Sequence, residues 1–173
     1  TVDSNHYIRQ GSVTSDVLDN IKQYVTHRSD NFYITLRPCI SALSLRDYHT
    51  LIRFALDNKI LIKSRMVDQP THLRPNVIPK VIRDTWFTPY QNLIDEYQLD
   101  QISSVVDMNE SHPDNVKIIA ANTVKQALSF LELPNVDNQS TELKTMVGLM
   151  KIWDKEYKLD ARMLYPELKD ILD

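Results

Sequence analysis

The sequence contains very few residues of the two types that build most recognisable cofactor sites. It has one cysteine, Cys39, and two glycines, Gly11 and Gly148, in 173 residues. One cysteine excludes an internal disulfide, a CxxC pair and a cysteine-only cage for zinc or an iron–sulfur cluster. Two distant glycines exclude the glycine-rich loops that cradle phosphates. A single thiol fits a reducing compartment, so we expect a cytoplasmic protein.

Charge and hydrophobicity exclude further classes. The net charge is −3 and no run of basic residues resembles a phosphate-tracking patch, so we expect no nucleic-acid partner. No apolar stretch approaches the roughly 20 residues that span a bilayer, so we expect no membrane association. The hydrophobic content of 42% is that of a globular protein with a real core. The first residue is Thr1 rather than Met, so we expect a piece of a longer polypeptide.

One stretch predicts a strand, a helix and a second strand. Residues 32–40 are rich in the β-branched and aromatic residues that suit a half-buried strand, and residues 60–67 repeat this composition. Residues 44–58 have a helical period, with Ser44 as the expected N-cap and Asp47 as an acidic residue in the first turn. A unit of this size has parallel strands and a right-handed crossover. The sequence therefore predicts an α/β piece of a larger sheet or barrel.

The segments on either side of this unit have weaker signals. Residues 1–11 read as a loop that ends at Gly11, where a positive φ angle costs little. A helix with an apolar stripe is expected between about Ser12 and Val25. Another helix is expected over about 77–86.

Prolines and a possible cap define that later helix. Asn76 is its expected N-cap, and Pro79 is tolerable in its first turn because the missing N–H would be unpaired there. Pro89 is expected to bend or split it, with residues 90–97 continuing. A composition shift near residue 98 then marks the end of the α/β part.

The remainder of the chain reads as helical, which predicts one unit over 1–97 and an all-α unit over 98–173. Ser111 and Pro113 mark the start of one helix, which Pro134 ends. Another begins at Asn138 or Ser140, and its Met146, Met150 and Trp153 stripe is interpreted as core. A last helical segment is expected over 159–172, broken near Pro166.

No motif in the sequence identifies a reaction. The five histidines have no metal-ligand spacing, so they are interpreted as surface or structural residues and no metal site is predicted. There is no GxSxG elbow to support a catalytic serine. Cys39 lies at the C-terminal end of a predicted strand, where α/β folds place functional groups, but it is interpreted as a buried, inert thiol rather than a nucleophile. We therefore predict no catalytic residue and no metal ligand.

Four segments, taken in order, carry a resemblance that no single motif carries. They are HYIRQG with VLDNIKQYV at 6–25, LRPCISALSLRDYHTLIRFAL at 36–56, ILIKSRMVDQPTHLRPNVIPKVIRD at 60–84 and MVGLMKIWDKEYKLDARMLYPEL at 146–168. The first resembles a Tyr-Ile-Arg-x-Gly segment that follows the fourth barrel strand, and the last resembles a closing segment that ends in Phe-Pro-Glu-Leu. Together they resemble the C-terminal part of a radical S-adenosylmethionine protein of the twitch-domain type.

The resemblance implies a fold, a cofactor and two candidate binding residues. The fold is part of a partial (β/α) barrel with parallel strands, followed by a helical region. Arg9 is the candidate contact for the carboxylate of S-adenosylmethionine, and Ser41 is a second candidate as a hydroxyl partner. The alternative for both is structural, with Arg9 pairing an acidic side chain or a helix and Ser41 capping backbone groups.

The resemblance also implies what this chain lacks. The Cys-x3-Cys-x2-Cys loop that holds the [4Fe–4S] cluster in the family is missing, and Cys39 alone cannot replace it. No cofactor is therefore expected in this chain alone, although S-adenosylmethionine and the cluster are implied for a full-length enzyme.

Two functions from different classes follow from these patterns. The first is a C-terminal fragment that completes the cofactor cleft and shapes the substrate pocket, with the missing N-terminal barrel half as its partner and a substrate that the sequence leaves open. The second is a non-enzymatic interaction or structural module of a larger assembly, such as a virus or phage particle. That module would bind partners through Met146, Met150 and Trp153 or through apolar strand edges.

Overall fold

A computed structural model describes residues 2–9, 11–29, 32–102 and 115–173 of the chain. Its helices and strands, in chain order, are α1 (Val2–Ile8), α2 (Thr14–Thr26), β1 (Thr35–Leu36), β2 (Cys39–Ile40), α3 (Tyr48–Asp57), β3 (Leu61–Ile62), β4 (Arg65–Met66), α4 (Lys80–Arg83), α5 (Phe87–Tyr97), α6 (Val116–Glu132), α7 (Gln139–Tyr157), α8 (Ala161–Leu164) and α9 (Lys169–Leu172). Within the described ranges, none of the helices combines the length and the apolar character needed to cross a bilayer.

The four short strands lie along two segments of the chain, residues 35–40 and 61–66, which run parallel to each other as the sequence predicted. β1 pairs with β3 and β2 pairs with β4, both in parallel. Thr35 lies opposite Leu61 and Cys39 opposite Arg65, so both ladders keep the same register. A row of backbone bonds runs without a gap along the pair, from the N–H groups of Leu61, Lys63, Arg65 and Val67 to the carbonyls of Ile34, Leu36, Pro38 and Ile40. The mixed α/β class with parallel strands is therefore confirmed.

Pro38 divides this pair into two short ladders. In a parallel ladder of this register, the carbonyl of Lys63 would accept a bond from the N–H of residue 38. Proline has no N–H, so this bond cannot form, although the Pro38 carbonyl still accepts from the N–H of Arg65 at 3.1 Å. The single strand expected over 32–40 is therefore observed as β1 and β2.

The crossover helix α3 buries the face that its period predicted. Tyr48, Ile52, Ala55 and Leu56 are its buried residues. The predicted N-cap, Ser44, is wrong, because α3 begins only at Tyr48. The Ser44 hydroxyl instead accepts the backbone N–H of Ser41 at 2.8 Å, so residues 41–47 form turns before the helix starts.

Residues 1–11 were predicted to form a loop, and this is wrong, because Val2–Ile8 is the helix α1. A helix of seven residues is unstable in isolation. Tertiary contacts hold it: Tyr7 is fully buried, and its ring lies edge-on to Trp153 at 5.7 Å and to Tyr165 at 5.9 Å. The positive φ angle predicted for Gly11 is confirmed at 77°.

The helix predicted over 77–86 has different bounds. α4 covers only Lys80–Arg83, a 3-10 turn follows at Asp84–Trp86, and α5 begins at Phe87. The break therefore precedes Pro89, which lies in the first turn of α5, where its missing N–H leaves no bond unmade. Asn76 does not cap a helix, because its side-chain amide donates to the Pro134 carbonyl at 2.8 Å.

In the described residues after 98, every regular element is a helix, as predicted. α6 ends before Pro134 and α7 begins directly after Asn138. The predicted helix start at Ser111 and Pro113 lies outside the described residues. Met146 and Met150 are fully buried, so their interpretation as core is confirmed.

A single hydrophobic cluster joins the strand pair to the later helices. α6 packs against α3, α5 and β3. Its Thr123 hydroxyl donates to the Ile62 carbonyl at 2.8 Å, which covers a backbone acceptor on the outer edge of β3. The carboxyl ends of the strand pair, residues 39–41 and 66–69, form the candidate site.

Candidate functional site

The carboxyl ends of the two strands lie side by side, and residues 39–41 and 66–69 are called here the carboxyl edge. Ile40 pairs with Met66, and the N–H of Val67 donates to the Ile40 carbonyl at 2.8 Å. In parallel α/β folds, ligands bind at this edge. The structure thus brings residues 39–41 and 66–69 together at the position where such folds bind ligands.

Ser41, a predicted binding residue, lies on the carboxyl edge and is half-buried. Its hydroxyl oxygen lies 3.2 Å from the hydroxyl oxygen of Ser44, and its carbonyl accepts the N–H groups of Ser44 and Leu45. Ser41 therefore organises a local turn. A hydroxyl has one donor and two acceptor positions, so this turn leaves it further capacity for a ligand.

An ion pair holds the second loop of the carboxyl edge. Arg74 Nη2 lies 2.8 Å from Asp68 Oδ1, and Arg74 Nε donates to the Asp68 carbonyl at 2.7 Å. The N–H of Ala42 also donates to the Leu73 carbonyl at 2.8 Å. These bonds fold the loop back against the strand end and occupy the carboxylate of Asp68.

Arg9, the other predicted binding residue, is exposed at the end of α1. Its N–H donates to the Asn5 carbonyl at 2.8 Å and its carbonyl accepts from the Ser12 N–H at 3.0 Å. No hydrogen bond or ion pair joins its guanidinium to another residue in the described part of the chain. Within the described residues, no hydrogen bond joins Arg9 to Ser41, so these two candidates do not bond to each other.

A polar network fixes α1 beside the segment that follows the carboxyl edge. The Ser4 hydroxyl donates to the carboxylate of Asp47, and Arg46 Nε donates to Asp47 Oδ1 at 3.1 Å. Burial opposes ionisation of Asp47, but these hydrogen bonds outweigh it and hold its pKa below the usual value. Arg46 also pairs with Glu167 at 3.4 Å, so the network reaches the C-terminal helices.

His49 lies next to this network on α3. Its Nδ1 lies 3.0 Å from the Arg46 carbonyl, and its ring lies edge-on to Tyr90 at 5.7 Å. Burial lowers the pKa of His49 below 6.5, its ordinary value, and the charge of Arg53 acts in the same direction. The Arg46 carbonyl and the carboxylate of Asp47 oppose this effect without reversing it.

This pKa direction predicts an acid-dependent loss of stability. The unfolded chain takes up a proton at His49 near pH 6.5, whereas the folded chain resists it until a lower pH. The contribution of neutral His49 to the free energy of unfolding is therefore complete above pH 6.5 and is lost as the pH falls through the lowered pKa. We expect His49→Gln to flatten this part of the stability curve, measured by urea unfolding at a series of pH values.

The matched control is His27→Gln, which removes an exposed imidazole. The free energy of unfolding of His27→Gln should depend on pH as steeply as that of the wild-type chain. An equally steep pH dependence in His49→Gln would show that a group other than His49 causes it.

The strand pair has one covered face and one open face. The covered face carries the side chains that contact the core, which are Ile34, Leu36, Ile40, Ile60, Ile62 and Met66. The other face carries the alternating positions, which are Thr35, Arg37, Cys39, Leu61, Lys63 and Arg65. Leu61 is buried in the core, so this face is covered there, and the open face consists of the other five positions. Arg37, Cys39 and Arg65 are exposed. The prediction that Cys39 is buried is therefore wrong, because its position in the strand directs it away from the core.

The sequence interpretation missed three cations on the open face, Arg37, Lys63 and Arg65. Both strands were read by their apolar residues, and a net charge of −3 gave no reason to look for local positive charge. The available signal was the period of two, since each cation occupies the register position between core-facing residues.

In residues 2–9, 11–29, 32–102 and 115–173, no three histidine, cysteine or acidic side chains group together to hold a metal ion. No protein-family model, no curated protein and no solved structure matches this chain.

Proposed function

We propose that this chain is the C-terminal part of a radical S-adenosylmethionine enzyme. In this proposal, residues 1–97 form the last portion of a partial (β/α) barrel and residues 98–173 form a helical, twitch-like region. The chain completes the cofactor cleft and shapes the substrate pocket. It is inactive without the N-terminal barrel half.

The observation that supports this proposal is the parallel strand pair with its crossover helix. A strand–helix–strand unit in a single register is the repeating unit of a (β/α) barrel, and barrel enzymes bind their ligands at the carboxyl edge. Two of the resembling segments, 36–56 and 60–84, supply this unit. The segment 6–25 precedes it and contains Arg9, which directly follows α1, and the Ser4 hydroxyl of α1 donates to the carboxylate of Asp47.

The two implied cofactors differ in how they fit the residues present. The [4Fe–4S] cluster does not fit, because its three thiolates cannot come from Cys39 alone. S-adenosylmethionine fits in one respect, since the exposed Arg9 guanidinium suits a carboxylate. The cofactor would supply the radical chemistry in the full-length enzyme, and the residues of this chain would bind and orient it.

The proposal predicts a binding defect in Arg9→Ala. The variant should be made in the polypeptide that includes the region encoded upstream, and S-adenosylmethionine binding should be measured by calorimetry. Loss of a charge-assisted hydrogen bond is expected to weaken binding roughly tenfold or more. Arg162→Ala, which removes an exposed arginine on α8, is the matched control and should bind as the wild-type polypeptide does.

Two outcomes bear on the proposal at different levels. Unchanged affinity in Arg9→Ala would remove this residue from the site and leave the rest standing. An upstream region without Cys-x3-Cys-x2-Cys would remove the enzyme proposal itself.

A second candidate, the interaction module, is favoured by the surface of α2. This helix has no buried residue, and Val13, Val17 and Tyr24 are exposed along one stripe. Met146 and Met150 are fully buried and therefore cannot serve such a role. A different domain encoded upstream would favour the module, whereas the cysteine motif would favour the enzyme.

A further inference from the structure

We propose that the open face of the strand pair binds the anionic part of a phosphate-bearing small molecule, which is the substrate class of the site. The inference rests on the proposed function for the statement that this ligand is a substrate. The preference for an anion follows from the positions of the positive charges in the strand register and does not depend on the proposed function.

The register brings two arginines to one side of the sheet. Thr35 lies opposite Leu61 and Cys39 lies opposite Arg65, so Arg37 and Arg65 occupy alternate positions on the same face. They are diagonal neighbours, which places their Cα atoms about 8 Å apart. Arginine side chains are long enough for both guanidinium groups to contact one small ligand from these positions.

Neither guanidinium group has a polar partner within the described part of the protein. Both side chains are exposed, and no hydrogen bond or ion pair joins either guanidinium to another described residue. Lys63 lies between them in the register and adds positive charge, but the inference does not depend on its being unpaired. Like charges at this separation repel, and an anion between them would turn this repulsion into attraction.

The shape of the cationic groups favours phosphate over carboxylate. Each guanidinium presents a fork of donors that matches two oxygens. A phosphate or diphosphate has enough oxygens and charge to engage both forks at once, whereas one carboxylate has two oxygens and a single charge. Thr35 and Cys39, which flank Arg37 on the open face, are small and leave room for such a ligand.

A small molecule fits this surface better than a nucleic acid. Nucleic-acid binding depends on many phosphate contacts along an extended basic surface. The open face provides only Arg37, Lys63 and Arg65, on a chain with a net charge of −3.

The test is calorimetric binding of pyrophosphate to the chain and its variants. Arg37→Gln and Arg65→Gln should each weaken binding roughly tenfold, because each removes a charge-assisted contact, and the double variant should weaken it further. Arg162→Gln removes the same charge from an exposed arginine on α8 and should leave binding unchanged. Circular dichroism should show the same helix content in the wild-type chain and its four variants.

Three results would overturn the inference. They are an absence of pyrophosphate binding by the wild-type chain, an equal loss in all variants including Arg162→Gln, and tighter binding of single-stranded RNA or of citrate through the same two arginines. Displacement of pyrophosphate by S-adenosylmethionine would assign the face to the cofactor and overturn the substrate assignment. Arginine-dependent pyrophosphate binding together with unchanged cofactor affinity in Arg9→Ala would support the open face and count against the Arg9 contact.

Discussion

Replacing Arg83 by methionine is expected to lower the free energy of unfolding by about 3 kcal/mol, a fall in Tm of about 6–12 °C for a chain of this length. The Arg83 side chain is fully buried between α4 and the end of α6. Its guanidinium donates to the carbonyls of Phe130 at 3.0 Å, Leu131, and Leu133 at 2.6 Å, and Nε donates to the Ile78 carbonyl at 2.9 Å. Carbonyls at a helix end have no partner within the helix, so Arg83 is the cap of α6.

Two opposing effects decide the sign of this change. Burial of the guanidinium is costly, and it lowers the pKa of Arg83, so methionine would relieve that cost. Methionine would also leave the α6 carbonyls without partners in the interior, at about 1–3 kcal/mol for each one that stays dry. Because hydrogen bonds already compensate much of the burial cost in the native protein, the loss of carbonyl partners is expected to dominate. The C-terminus of α6, which is the negative end of its helix dipole, also loses the neighbouring positive charge of Arg83.

Arg83→Lys separates charge from geometry. Lysine keeps the positive charge, but its single ammonium cannot contact acceptors that are spread along Phe130 to Leu133, so most of the loss should remain. Arg162→Met, at an exposed arginine, should change stability by less than about 0.5 kcal/mol. Urea unfolding gives the energies, and hydrogen exchange should accelerate first at the end of α6. If Arg83→Met were as stable as the wild-type chain, the cost of burying the Arg83 charge would equal the stabilisation from its hydrogen bonds.

The parallel unit was predictable because its signals are local. The β-branched run at 32–40 and the helical period at 44–58 each lie within one segment, and the connection length then favours parallel strands. The bounds were less predictable, because Pro38 divides the first strand and Ser44 bonds to Ser41 instead of capping α3. The effect of Pro38 depends on which residue it faces in the partner strand, and the bond of Ser44 depends on the local turn at residues 41–44.

α1 and Arg83 could not be predicted, because distant residues decide their structure. α1 is too short to be helical alone, and it is held by Tyr7, whose hydroxyl donates to the Met150 carbonyl at 3.2 Å. Arg83 lies in a charged stretch that reads as solvent-exposed, whereas its acceptors come from the end of α6. No period or composition in the sequence near either residue carries this information.

The candidate site was predictable in part for the same reason. Parallel strands must bring their carboxyl ends together, so the position of Ser41 beside residues 66–69 followed from the strand assignment. Arg37 and Arg65 required a further step, which was to assign each strand position to a face. The contact expected between Arg9 and a cofactor depends on residues outside this strand pair, so it stays a prediction.

Replacing Arg46 by methionine is expected to lower the free energy of unfolding by about 2–3 kcal/mol at neutral pH. Arg46 pairs with Asp47 at 3.1 Å and with Glu167 at 3.4 Å, and only 23%, 11% and 21% of the three side chains are exposed. It also donates to the Leu164 carbonyl and lies over the Tyr165 ring at 5.0 Å. Its removal would leave two carboxylates in a largely dry site without their cation.

The energetic difference between this variant and the wild-type chain should depend on pH. The pKa of Asp47 lies below 3.8 in the folded protein, so its contribution is complete above that value and is lost as the pH falls through the lowered pKa. Without the hydrogen bond from Arg46, burial raises the pKa of Asp47 back toward or above its usual value. The two stability curves should therefore converge as the solution is acidified and Asp47 becomes protonated.

A control pair on the surface distinguishes this effect from the loss of any arginine. Arg53 and Glu96 lie 2.6 Å apart, but 41% and 44% of their side chains are exposed, so Arg53→Met should cost less than about 1 kcal/mol. The difference in free energy of unfolding between Arg53→Met and the wild-type chain should vary little on acidification, because water already screens the Arg53–Glu96 pair. If Arg46→Met and Arg53→Met had equal effects at neutral pH and the Arg46 difference did not narrow in acid, then α1 and the C-terminal helices would be held by apolar packing. Burial of Tyr7 and Tyr165 would then be the cause, and the charges of Arg46, Asp47 and Glu167 would contribute little.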